Sequence, residues 1–243
     1  MRLRLLFFLL LIAVINACKK DDEQSVAPGI VNTSLNIEIS YEVDGQSLRF
    51  DTSGYTCDAG YNYSVSRLWY YLGNVCMIRQ DSSLELLKNF HFADAADAST
   101  SQIAISNAKE ESYIGLQFLI GLDSLHNQPG YLPATSQNLN MEWPVMMGGG
   151  YHFLKFEGHF SDSSGLHGFA MHLGTNNALG KCVIYHPILI QSGTNKLRLA
   201  MNLNEWFRNP FLYDFNIDGN YSMGNMAAMM KLSQNGNDVF IVK

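Results

Sequence analysis

The chain has 243 residues and carries 16 Lys and Arg against 22 Asp and Glu, a formal net charge of −6. An acidic surface does not attract a polyanion, and no basic patch with interleaved aromatics appears, which excludes nucleic acid as a partner. With 47% hydrophobic and 12% aromatic residues, the composition suits one well-packed domain and not a disordered or fibrous chain.

The N-terminus speaks for location. Arg2 and Arg4 form a basic region, and Leu5–Val14 is apolar but too short to span a bilayer as a mature helix. Ile15-Asn16-Ala17-Cys18 follows as a bacterial lipobox, with a small residue before the cysteine that a signal peptidase can accept. The reading is a signal peptide over 1–17, a diacylglycerol on Cys18, a polar tether over 18–34 and a folded domain over 35–243. Acyl chains add about 0.8 kcal/mol of membrane affinity per buried methylene, so a multiply acylated cysteine anchors without a transmembrane helix. The run Lys19-Lys20-Asp21-Asp22-Glu23 resembles the export signal of surface lipoproteins in Bacteroidetes-type bacteria. The expected location is the cell envelope, as an outer-membrane lipoprotein facing the periplasm or the surface. Cleavage removes Arg2 and Arg4, leaving 14 basic against 22 acidic residues, or −8.

Within the domain, Leu35–Val43 alternates apolar and polar residues, the mark of a half-buried strand. Asp44-Gly45 turns the chain, and Leu48 and Phe50 begin a return strand. Val65–Ile78 is a long β-type run broken near Gly73-Asn74, followed by strands at Gln102–Ser106 and Tyr113–Leu122. Further strands are expected at Tyr151–Phe160, Gly168–Leu173, Cys182–Ile190, Lys196–Leu203 and Asp238–Val242. Asn204–Arg208 reads as a short turn. Ser222–Ser233 reads as a helix with Ser222 as N-cap and Asn235-Gly236 as its stop. The predicted fold is all-β, an antiparallel β-sandwich with one or two short helices.

Three cysteines remain beside Cys18: Cys57, Cys76 and Cys182. An oxidising envelope permits a disulfide, and three thiols always leave one over. Cys57 and Cys76 flank one early strand–loop unit and are the favoured pair, with Cys182 equally suited to a buried apolar position.

Catalytic signatures are missing: no Gly-x-Ser-x-Gly elbow, zinc-protease helix, phosphate loop or dinucleotide fingerprint. Asp162, Ser163, Ser164 and His167 are too close in sequence to oppose one another as a triad and read as a polar turn. The chain is therefore expected not to be an enzyme. Metal ligation has more support, because seven histidines and 11 methionines supply imidazole and thioether donors that favour monovalent copper over hard cations. His172, between Met171 and Leu173 on an interior-looking strand, needs a hydrogen-bond or metal partner for its imidazole. The competing reading is a core histidine bonded to backbone. His91 alternates with aromatics as a strand ligand would, and His126 sits in a loop after a strand. His152 and His159 share one strand at odd spacing, which places them on opposite faces. The methionines of 223–230 read as helix packing.

Six pieces then occur in order. They are the opening alternating strand, Ser64–Val75 (SVSRLWYYLGNV), Phe90–Asp94 (FHFAD), Phe118–Asn127 (FLIGLDSLHN), Asn140–Trp143 (NMEW) with Gly150–Gly158 (GYHFLKFEG), and Phe169–Gly174 (FAMHLG). Together they resemble the MbnP family, the methanobactin-associated periplasmic copper-binding proteins and their envelope relatives, over most of the mature domain. The resemblance implies a β-sandwich holding copper through two histidines and a tryptophan-derived ligand. In some members a dihaem enzyme related to cytochrome c peroxidase oxidises that tryptophan to kynurenine. Carried over by position, His172 is the first ligand, His91 and His126 compete for the second, and Trp143 is the modifiable aromatic. The family pattern Met-x-Trp-x-Trp reads Met141-x-Trp143-x-Val145 here; if the second tryptophan is the modified one, kynurenine chemistry is lost, and either Met146 or Met147 substitutes as a thioether ligand or the site has decayed.

The expected function is thus a lipid-anchored envelope protein that holds copper for acquisition, storage or handover. The alternative is a metal-free surface-binding module for a glycan or protein ligand, with aromatics of loops 55–71 and 131–151 as a stacking platform.

Overall fold

The computed structural model describes residues 32–243. The signal peptide, the lipidation site Cys18 and most of the tether lie outside the described residues. From Ser34 the elements run β1 (Ser34–Val43), β2 (Gln46–Ser47), β3 (Tyr55–Thr56), β4 (Asn62–Arg79), β5 (Leu84–Asp94), β6 (Gln102–Ser106) and β7 (Ser112–Ile120). There follow α1 (Ser136–Asn140), β8 (His152–Asp162), β9 (Gly165–Gly174), β10 (Gly180–Leu189), β11 (Thr194–Asn202), α2 (Phe215–Asp218), α3 (Met226–Asn235) and β12 (Phe240–Val242). The strands form two sheets, β12-β11-β1-β2 with β6 on β1, and β10-β7-β4-β8-β9 with β3 and β5 on β4. This is the expected β-sandwich, with one departure from antiparallel pairing: β1 and β11 run parallel, Ile37 beside Leu197 and Ile39 beside Leu199. Alternation on both strands settles which face each buries. Partner and direction are a matter of long-range pairing.

β4 is the spine. Its first half pairs with β8 and its second half with β7, while β3 and β5 take the other side. The break expected near Gly73-Asn74 is real: Asn74 sits at φ 45°, and the register with both neighbours shifts between Gly73 and Cys76. Such a bulge bends the strand and strengthens its twist. It also spoils alternation in β5, where Val75 faces Lys88 but Cys76 faces Leu86, and the sequence shows no clean strand pattern there.

Between the sheets, Ile37, Ile39, Leu199 and Phe240 of the smaller sheet and Tyr70 and Phe118 of the larger share one buried core. Phe240 packs on Tyr70 and Phe118, and the Tyr41 and Tyr70 hydroxyls are 2.9 Å apart. A second aromatic group, Phe156, Phe169, Phe207 and Phe215 of α2, fills one end through ring pairs 5.0–5.4 Å apart, two stacked and two edge-to-face.

The C-terminal helix begins later than expected. Asn225, not Ser222, caps it by accepting from the Ala228 amide, and Ser222 is engaged elsewhere. Gly236 ends it in right-handed conformation, so its φ does not demand glycine. A Cβ there would lie 2.8 Å from the Trp206 ring, and packing is the reason for the residue.

The register of β8 on β4 rests on Gly158, where a side chain would strike the Ser64 carbonyl and press on the Phe169 ring. Gly158→Ala is expected to cost roughly 1–3 kcal/mol by overpacking. Gly168→Ala, whose nearest neighbour would be the Tyr221 hydroxyl at 3.4 Å, should cost far less. Urea midpoints of the two variants compare them.

Candidate metal-binding site

Between β7 and β8 the chain leaves the larger sheet and returns across its outer face, the face turned away from the other sheet. The return depends on Gly148, Gly149 and Gly150, all at positive φ (107°, 68° and 86°), which side chains adopt only with strain. After them Glu142 bridges Tyr151, and the Trp143 amide donates to the Gly150 carbonyl at 2.9 Å. This narrow loop lays Trp143 against β9. A Cβ on Gly174 would overlap the indole; glycine lets the ring lie on the strand, 2% exposed. The indole N–H donates to the Met147 carbonyl at 3.2 Å.

The indole packs on the His152 imidazole, centroids 4.7 Å apart, and His152 in turn on His172 at 5.0 Å with rings almost perpendicular. His152 Nδ1 lies 3.2 Å from the Met141 carbonyl. A carbonyl only accepts, so Nδ1 carries the proton and the lone pair is on Nε2. Burial, followed by Lys155 and His172 nearby, lowers the His152 pKa to about 3, and the ring is neutral at physiological pH.

His172 is held from three directions. Its Nε2 donates to Glu157 Oε1 at 2.9 Å, and Glu157 also accepts from Arg67 at 2.7 Å. The His172 hydrogen bond, then the Arg67 charge against the opposing cost of burial, keeps the Glu157 carboxyl below its usual range. The Ser222 hydroxyl accepts from the His172 amide at 2.7 Å and donates to its carbonyl at 2.6 Å. That hydroxyl, expected to cap a helix, instead fastens a strap on the open edge of β9. When neutral, His172 bears its lone pair on Nδ1. Two imidazoles therefore sit side by side, one of them against the indole, each with one nitrogen fixed by an acceptor. This outer-partner arrangement orients histidine ligands at metal sites.

The other expected ligands are elsewhere. His91 aligns with Leu72 on the inner face of β5 and donates to the Thr100 carbonyl at 2.7 Å, its pKa lowered by burial. His172 aligns through Lys155 with Trp69 on the outer face, three strand spacings or about 14 Å away. His126 lies between Phe90 and Tyr131 and donates from Nδ1 to Asp123 at 2.6 Å. Neither joins the His152–His172 pair. Met146 is 99% exposed, which removes it as an internal ligand. Met147 packs partly against the core.

Cys57, Cys76 and Cys182 are buried free thiols. The expected Cys57–Cys76 bond is corrected by the length of β4: Cys57 lies beside its start and Cys76 near its far end. At about 3.3 Å per residue that is on the order of 40 Å, far outside disulfide reach. Asp162, Ser164 and His167 do meet, but Ser164 at 2.9 Å and Asp162 at 3.1 Å address the same nitrogen, Nε2. A relay needs the carboxylate on one nitrogen and the hydroxyl on the other. Of the aromatics expected as a stacking platform, Tyr55, Tyr63, Tyr70, Tyr71, Trp143 and Tyr151 turn inward, each at most 5% exposed, whereas Tyr61 and Trp69 are partly buried and Tyr131 is 49% exposed.

His152 is the residue that sequence reasoning passed over. Strict alternation sets it opposite His159, but the register shifts between His152 and Leu154, so that His152 pairs with Gly174 while Lys155 pairs with His172. Gly174 and His172 share a face of β9, and the bulge brings His152 onto that face too. The adjacent buried pair Phe153 and Leu154 was the visible sign of it.

A two-sheet sandwich with paired imidazoles beneath a tryptophan defines the class to which the molecule belongs. A sequence model of the MbnP family matches residues 32–227, and the chain belongs to that family. Among solved structures it is similar to MbnP from Methylosinus trichosporium, with a TM-score of 0.52 at 9% identity, over 75% of this chain and 80% of that one. At such identity the likeness is one of fold. A search of curated proteins found no significant match.

In the metal-free protein His152 is expected to stay neutral with its proton on Nδ1 at pH 5, which long-range proton–nitrogen NMR reads directly. The unfolded chain takes up this proton near pH 6.5 and the folded one only near 3. Stability contributed by the neutral ring is therefore present above pH 6.5 and lost as pH falls toward 3, by up to about 1.4 kcal/mol per unit. A His152 titration near pH 6.5 contradicts the assignment.

Proposed function

We propose that this protein holds copper in the bacterial envelope, for acquisition, storage or handover, and catalyses no reaction of its own. The observation that carries the reading is the His152–His172 pair, 5.0 Å between ring centroids beside the buried Trp143. Its donors suit the ion. Two imidazoles beside an aromatic wall match monovalent copper, whereas hard cations require several oxygens. Among the described residues no three His, Cys, Asp or Glu side chains converge, and a structural zinc site requires four ligands. His152 and His172 would hold the ion, with Met141 and Glu157 fixing the far nitrogen of each ring. The lipobox at Cys18 and the family together support an envelope location outside the cytoplasm. Among the described residues no helix is long and apolar enough to cross a membrane, and anchoring is assigned to lipid on Cys18.

Trp143 is the residue on which a dihaem partner enzyme would act. Conversion to kynurenine replaces a weak ligand with an amine and a carbonyl, and adds about 4 Da to its peptide. Mass spectrometry of native protein reads that change together with acylation of the Cys18 peptide. An unmodified Trp143 removes the partner from the proposal, and an unlipidated Cys18 removes the anchor.

Copper itself is tested on the purified mature domain, loaded anaerobically under a reductant and titrated against a copper(I) chelator. One ion per chain is expected, with His152→Ala and His172→Ala each losing at least about tenfold in affinity, the lower bound seen for outer partners alone. Equal copper content in wild type and both variants defeats the reading.

A further inference from the structure

Four methionines lie at graded depth in the two surface segments that hold Trp143 and Ser222, next to the imidazole pair. Met147 follows Trp143 in the same loop, and its carbonyl holds the indole N–H. Its methyl carbon Cε lies 3.9 Å from the point where a Gly224 side chain would begin, and nothing else lies within 4 Å of that point. Gly224 stands between Ser222, whose hydroxyl clamps both the amide and the carbonyl of His172, and the first turn of α3. Its neighbour Met223 packs partly on the core, as does Met147. Outside them Met226 is 44% and Met146 99% exposed. Two surface segments thus meet at a side-chain-free glycine, each carrying an exposed and a half-buried thioether, and each tied directly to one half of the site.

Helix packing explains a buried methionine such as Met229, 2% exposed. It does not explain fully exposed Met146, placed where a polar residue costs nothing. Thioethers are soft, uncharged and weakly held donors that favour monovalent copper over harder ions and over protons. Weak ligation at successive depths lets an ion leave its hydration or a donor protein before it reaches the stronger imidazoles.

We infer that Met146, Met147, Met223 and Met226 form a thioether entry path that receives monovalent copper and delivers it to His152 and His172. The inference rests on the copper reading above and adds the route. Since the path binds transiently, its removal changes the rate of filling and not the final affinity.

The test uses Met147→Leu combined with Met223→Leu, substitutions that conserve volume. Loading from a copper(I)–chelator complex, followed by stopped flow, is expected to slow by at least about tenfold while the equilibrium affinity stays within about threefold. Protein labelled with 13C at the methionine methyls gives a second readout: in a His152→Ala, His172→Ala background, silver(I) should still shift the Met147 and Met223 signals. Loading at the wild-type rate, or methyl signals unmoved by silver(I), overturns the path and leaves the imidazole site standing. A loss of equilibrium affinity in the leucine variant also overturns it, by making these thioethers permanent ligands. Failure of the wild type to take copper at all defeats the underlying reading instead.

Discussion

The indole of Trp143 lying on the bare backbone of Gly174 is the constraint from which the site follows. An indole buries on the order of 200 Å², and this one has space only because β9 presents no side chain at that point. Once seated, it fixes the loop through its bond to Met147 and shields His152 from water. The triple glycine is the geometric counterpart, letting the chain reverse sharply enough to bring Trp143 down and return as β8. Loss of the indole contact would leave the loop held mainly by its bridge to Tyr151 and would open a neutral imidazole to solvent.

Charge and burial divide the two histidines between distinct tasks of support. His152 owes its state to desolvation: with a backbone carbonyl on Nδ1, the neutral ring is the stable one. His172 owes its position to Glu157, itself balanced by Arg67, and to the strap at Ser222. Each device fixes one nitrogen of its ring. A pair so restrained pays little ordering entropy when a ligand arrives, which is the physical content of preorganisation. The sandwich contributes rigidity below: β4 carries both β7 and β8, so that the loop between them is anchored at each end to one strand.

Membership of the MbnP family and a shared fold at 9% identity show that the scaffold tolerates wide replacement of its surface. In this chain the scaffold carries a pattern of contacts: glycine under indole, imidazole against imidazole, carboxylate behind. Val145, at the place of a second tryptophan in the family pattern, is 81% exposed.

Much of the fold was legible in the residues alone. Alternation in Leu35–Val43 and Lys196–Leu203 marked the buried faces correctly, and Gly73-Asn74 announced the bulge in β4. The family resemblance was also open to reading, because it depends on local order. The parallel pairing of β1 with β11, the separation of Cys57 from Cys76 and the dispersal of His91 and His126 were not. Each depends on which distant strand lies alongside, and side-chain pattern carries little information about that. His152 shows the reason most clearly. A one-residue slip in a ladder transfers a side chain to the opposite face, and only the register of β8 on β9 decided that this imidazole would meet its partner.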